Sequence, residues 1–165
     1  MKPNENGPHP IPNPYTESER YNCFACSPDN SAGLRMSFSL AGESVFSEWQ
    51  PRPEFEGYPG VVHGGIQATL ADETAAWLIH AVLGTAGVTR EMSVRYHQPA
   101  KTEDSPFRVE AHAVEVSAKR AMIEARITGA SGTLFTTARC EYVVFREGVA
   151  RKRLGFPGAE AFRQR

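Results

Sequence analysis

The run Val61-Val62-His63-Gly64-Gly65 leads straight into a helical pattern, and Asp72-Glu73 follow two turns later. A His-Gly-Gly at a strand-to-helix entry leaves backbone N–H groups exposed at the positive end of the helix dipole, where missing side chains let a ligand come close. Such groups can polarise a carbonyl oxygen. A tight turn is the plainer use of two glycines, and the carboxylate tips the balance between the two readings. The helical neighbours of Asp72 are Ala68, Ala75, Ala76 and Ile79, so it projects from a small apolar strip. A carboxylate desolvated there without an evident basic partner is neutralised, hydrogen-bonded locally, or kept as a general base or nucleophile. Glu73 falls in line with Trp77 and His80 instead and reads as a surface or rim carboxylate.

Cys23-Phe24-Ala25-Cys26 has zinc-knuckle or redox spacing, but a tetrahedral zinc site needs two further ligands and the sequence holds no second cysteine pair. The expectation is a structural turn and no metal. His97 and His112 lie on strand patterns without a ligand partner at metal spacing, and read as surface or satisfied core residues.

The elements that must position these groups follow from the period of the apolar residues. Leu34, Met36, Phe38 and Leu40 alternate with polar positions, and Val45, Ser47 and Trp49 follow after a short turn, which predicts a hairpin. The turn-rich segment PRPEFEGYPG comes next. From Gly64 to about Leu83 the steps become three and four residues, alanines abound and Gly84 is placed to end the helix. Alternation then returns over Val88 to Tyr96, Phe107 to Val116, Ala121 to Ile127 and Leu134 to Phe145, with a parity slip between Ala113 and Val114 that predicts a β-bulge. Two strands, one long buried helix and four strands with short connections imply an α+β fold, an antiparallel sheet of about six strands packed on the helix.

At 165 residues the chain has the size of one domain, and 41% hydrophobic with 22% charged residues suits one folded core. The expected division is a flexible N-terminal arm over 1–20, rich in Pro, a folded domain over 21–145, and a basic C-terminal tail over 146–165. A net charge of −1 supplies no general pull toward nucleic acid or an anionic membrane. The charge-free stretches are broken by Gly and His and fall short of a membrane span of about 20 residues. No apolar segment follows the single Lys near the start, so no secretory signal is expected. Three cysteines are too few and odd in number for a disulfide framework, and a reducing cytoplasm is the expected location. No cofactor-binding signature is present.

The run GYPGVVHGGIQATLADETAAW, with a later strand ending in CEYVVF, resembles the hotdog-fold acyl-CoA thioesterases, in particular the phenylacetate-pathway (PaaI-like) type, over roughly Gly33 to Phe145. The resemblance implies a long central helix wrapped by a curved antiparallel sheet, with two subunits pairing sheets and the thioester lying between their helices. It makes Asp72 the catalytic carboxylate, Gly64 the backbone donor to the thioester carbonyl and His63 a support for that loop. Gly65 and Glu73 then flank the substrate, and Lys119-Arg120 at a hairpin tip is the candidate for the coenzyme A phosphates. Two places departing from one branch of the family are Gly57 and Ala76, where a polar amide and a hydroxyl are found in that branch; Glu56, Gln67 or Thr74 are the substitutes on offer.

Gly64 and Asp72 are eight residues apart, about 12 Å along a helix axis, too far to serve one carbonyl carbon within one subunit. A catalytic motif therefore requires a homodimer, or a dimer of dimers (a homotetramer), in which two copies share each site. The expected activity is hydrolysis of a small or medium acyl-CoA, aromatic acyl groups included, to the free acid and coenzyme A. The alternative is a non-catalytic hotdog module that binds acyl-CoA or an aromatic ligand.

Overall fold

A computed structural model describes residues 7–163; the first six residues of the expected arm and the last two of the expected tail lie outside the described residues. The strands are β1 (His9–Ile11), β2 (Phe38–Ala41), β3 (Ser44–Trp49), β4 (Glu56–Tyr58), β5 (Val61–Val62), β6 (Gly87–Tyr96), β7 (Phe107–Val116), β8 (Arg120–Thr128) and β9 (Leu134–Val144). The helices are α1 (Gly64–Ala81) and α2 (Glu147–Leu154). Seven strands form one antiparallel sheet in the order β1-β2-β3-β7-β8-β9-β6, curved around α1, while β4 and β5 make a separate ribbon. This is the α+β hotdog architecture.

The sheet has seven strands where the sequence pattern predicts about six. The extra one is β1, whose register sets Pro10 opposite Ser39 at the sheet edge. Proline donates no ladder hydrogen bond, so an edge is where a sheet tolerates it, and three residues are too few to show alternation. The bulge expected near Val114 is present, as the β7–β8 register slips between Ala113 and Glu115.

Packing explains why α1 lies where it does. Leu70, Ala71, Ala75, Leu78 and Ile79 are wholly buried, and the small alanines suit the close packing of α1 on β7 and β8. Trp77 stacks on Phe38 at 4.4 Å between ring centroids. Truncating such a buried ring to alanine typically costs about 3–5 kcal/mol.

Both chain ends return to the carboxyl end of α1. Tyr15 lies in a short 3-10 helix, Pro14–Glu17, and packs against His80 and Phe162. After β9 the basic segment forms α2, which ends at Gly155 in the left-handed region (φ 65°), and Phe156 and Phe162 are buried beyond it. Arg151 pairs with Glu147 and Glu160, so part of the local basic surplus is neutralised.

Candidate active site

The helix entry is built by the ribbon that precedes it. Val62 N–H donates to the Ala100 carbonyl and His63 N–H to the Phe55 carbonyl, which fixes the approach of β5 to α1. His63 caps the helix, with Nδ1 accepting the Gly65 N–H at 2.9 Å. That hydrogen bond occupies Gly65 and leaves the Gly64 N–H without an acceptor among the described residues. The Gly64 carbonyl is taken by the Tyr96 hydroxyl at 2.8 Å. A Cβ on residue 64 would stand 3.2 Å from the Tyr96 ring, so a side chain there requires the ring to shift.

Gly64 lines a cleft of about 460 Å³ together with Tyr58, His63, Gln67, Tyr96 and Gln98. Tyr58 stands at its mouth, 79% exposed. A larger hollow of about 640 Å³ lies on the opposite face of the sheet and reaches none of these groups. Among its lining charges, Arg139 pairs with Glu124, and Arg126 pairs with Glu110.

Asp72 sits two turns along α1, half-buried, and takes the second of the fates open to such a carboxylate. Its Oδ1 accepts hydrogen bonds from Thr89 of β6 at 2.8 Å and from Tyr142 of β9 at 2.6 Å. Burial, and then the negative charge of Asp72, push the Tyr142 phenol well above its ordinary range, so it stays a donor at any ordinary pH. Thr89 and Tyr96, the two residues that tether Asp72 and Gly64, both belong to β6. Among the described residues β6 ends the sheet, and its ten residues offer one long edge with no strand paired to it.

Glu73 corrects the reading as a surface or rim carboxylate. It does not line the Gly64 cleft but turns inward, where Oε1 accepts from Trp77 Nε1 at 3.2 Å and from Cys23 Sγ at 3.7 Å. Burial, followed by Cys23, pushes its carboxyl up to about 7. The segment carrying the two cysteines folds over this part of α1, which sequence spacing alone does not reveal.

Glu56, Gln67 and Thr74 are each committed elsewhere. Glu56 accepts the Gly60 N–H, Gln67 bridges Val62 and Thr136, and Thr74 donates to the Leu70 carbonyl. The hydroxyls at the carboxylate come instead from Thr89 and Tyr142, neither of them singled out in the sequence. For Tyr142 the signal is its inward parity on β9, because a buried phenol requires a partner. Lys119 and Arg120 flank the β7–β8 turn outside the cleft, with Arg120 paired to Glu141. His97 and His112 are exposed and meet Thr137 and Glu124.

Residues 59–136 match the family model for the thioesterase superfamily. Among solved structures, a thioesterase superfamily protein shares 26% identity over 70% of this chain with a TM-score of 0.65; the match covers 57% of that protein, so the chain spans little more than half of its length. A hypothetical thioesterase from Streptococcus pneumoniae TIGR4, solved with coenzyme A, is 24% identical over 63% of this chain and 82% of its own, with a TM-score of 0.59. Zebra fish thioesterase superfamily member 2 is 22% identical over 72% and 90% of the two chains, with a TM-score of 0.63. No curated protein compared with the chain matches it.

Proposed function

We propose that this hotdog-fold chain belongs to the thioesterase superfamily and is an acyl-CoA thioesterase acting on small or medium acyl groups, aromatic ones included. The observation that carries this reading is one helix bearing a free N–H at Gly64 and a hydrogen-bonded carboxylate at Asp72, both tied to the open edge strand β6. Coenzyme A in the Streptococcus pneumoniae structure supports the substrate class. The run from Gly57 to Trp77 supports the phenylacetate-pathway type, and three free thiols suit the cytoplasm.

In this reading two β6 edges pair antiparallel across a two-fold axis near Met92 and Ser93, midway between Thr89 and Tyr96. Thr89 of one copy then faces Tyr96 of the other, which brings the carboxylate of the first toward the Gly64 N–H of the second. That N–H stabilises the oxygen of the thioester carbonyl as charge develops on it. Asp72 either takes the proton of an attacking water and passes it to the departing sulfur, or attacks the carbonyl carbon itself, expelling coenzyme A and leaving an acyl-aspartyl anhydride that water then hydrolyses to the free acid. His63 holds the loop rather than moving a proton. The same pairing sets the β7–β8 turn of one copy toward the cleft of the other, where Lys119 and Arg120 reach the phosphates of coenzyme A.

The test is a panel of acyl-CoAs of different chain lengths and with aromatic acyl groups, followed by loss of thioester absorbance. Turnover is expected for at least one class. Tight binding of acyl-CoA with no hydrolysis of any member overturns the enzymatic reading in favour of a binding module.

A further inference from the structure

We infer that Cys23, Cys26 and Glu73 form a binding site for a thiophilic divalent cation, with zinc the ion that fits best. Their ligand atoms all lie within 4.8 Å of one another. The two thiols are 3.1 Å apart, and Cys23 Sγ lies 3.7 Å from Glu73 Oε1. Tetrahedral zinc with bonds of about 2.3 Å to sulfur and 2.0 Å to oxygen separates two sulfurs by about 3.8 Å and sulfur from oxygen by about 3.5 Å. Small side-chain rotations close that gap. Two thiolates and a carboxylate suit zinc rather than magnesium or calcium, which prefer all-oxygen shells.

The electrostatics argue for a cation independently of the distances. Three acidic groups share one enclosed space, and Glu73 forms no ion pair among the described residues. Their mutual repulsion is relieved either by protons or by a metal. The Cys23 sulfur also accepts the Cys26 backbone N–H at 3.3 Å, which fixes its position beside Glu73. An outer layer holds the ligands in place. Tyr21 OH lies 2.7 Å from Cys26 Sγ, and the Asn13 amide donates to Tyr21 OH and to the Cys26 carbonyl. Cys23 is half-buried, so solvent supplies the fourth position. Because Glu73 lies fifty residues beyond Cys23, a bound ion clamps the cysteine-bearing loop onto α1 beside Asp72.

The experiment adds cobalt(II) to metal-free, fully reduced protein and reads the thiolate-to-cobalt charge-transfer absorbance. One equivalent is expected to saturate the band, zinc to displace it, and zinc to raise the unfolding temperature. Cys23→Ser and Cys26→Ser should each weaken the band, and Glu73→Gln should lower cobalt affinity by about tenfold or more. Circular dichroism confirms that each variant is folded; if a serine variant fails to fold, Glu73→Gln carries the comparison. Absence of the band in the folded wild type overturns the inference, as does unchanged affinity in the folded variants. Formation of a Cys23–Cys26 disulfide under hydrogen peroxide, without metal uptake by the reduced protein, overturns it in favour of a redox pair.

Discussion

Tyr142, at the inward-facing parity of β9, donates to the Asp72 carboxylate at 2.6 Å, and its oxygen also lies 2.7 Å from the Asp72 backbone carbonyl. The phenol thereby fixes both the side chain and the helix turn of the candidate catalytic acid. Tyr142→Phe keeps the ring in the core and removes only the donor. Stability should fall by about 1 kcal/mol. A carboxylate no longer held in place should cost kcat about tenfold or more while KM stays near its original value. Equal effects on both constants, or none, would show that the hydrogen bond is structural only.

Asp72→Asn preserves shape and removes the base or nucleophile. Turnover should drop by about 10²-fold or more, and the fold should survive, since Thr89 and Tyr142 can still donate to the amide oxygen. Steady-state hydrolysis and thermal unfolding measured on the same preparation check both halves. Near-normal turnover removes α1 from the chemistry.

A shared site predicts complementation. Gly64→Val places a side chain against the Tyr96 ring and blocks the N–H, so it should inactivate the protein, as Asp72→Asn does. After unfolding and refolding together in equal amounts, half of the dimers are mixed and each holds one site with both groups intact. About a quarter of wild-type activity should return. No recovery, in a mixture shown to contain mixed dimers, counts against two copies sharing the site.

If Lys119 and Arg120 hold the coenzyme A phosphates, the double alanine variant should raise KM more than it lowers kcat. Contacts far from the reacting bond are present in ground and transition states alike and contribute uniform binding. The surface pair between Arg120 and Glu141 is worth little to stability, so the fold should tolerate its loss. An unchanged KM returns both residues to the role of solvated turn charges.

The sequence showed the layers well, because β6 through β9 and α1 are long enough for their periods to repeat, and even the Ala113 bulge is a break in a long pattern. It showed less where a structure depends on a partner distant in the chain. Parity and helical angle placed Asp72 on its strip, but whether the acid is paired depended on Thr89 and Tyr142, 17 and 70 residues away. Glu73 failed for the same reason: the helical face pointing toward Trp77 and His80 is exposed only until the chain ends fold over it.

That covering makes one histidine a pH-dependent element of stability. His80 packs against both Phe156 and Phe162, at 5.6 and 5.1 Å between ring centroids, and these two rings stack on each other, with Tyr15 and Trp77 also against the imidazole. Its Nδ1 is 2.9 Å from the Thr85 carbonyl, an acceptor, so in the neutral ring Nδ1 carries the hydrogen and donates it. Burial among aromatic rings holds the imidazole below its usual range, outweighing the Thr85 carbonyl, which favours the charged form. The unfolded chain binds a proton near the ordinary histidine value of about 6.5, whereas the folded one resists it. The stability held by the neutral ring is therefore fully present above about pH 6.5 and is lost as the pH falls toward the folded value. His80→Gln keeps a donor for Thr85 and cannot titrate there. Between pH 7.5 and 5.5 the unfolding temperature of the wild type should fall more steeply than that of the variant, and amide exchange across Phe156–Phe162 should quicken in the wild type alone. Parallel curves would mean that the imidazole charges without disturbing the packing of the carboxyl-terminal segment.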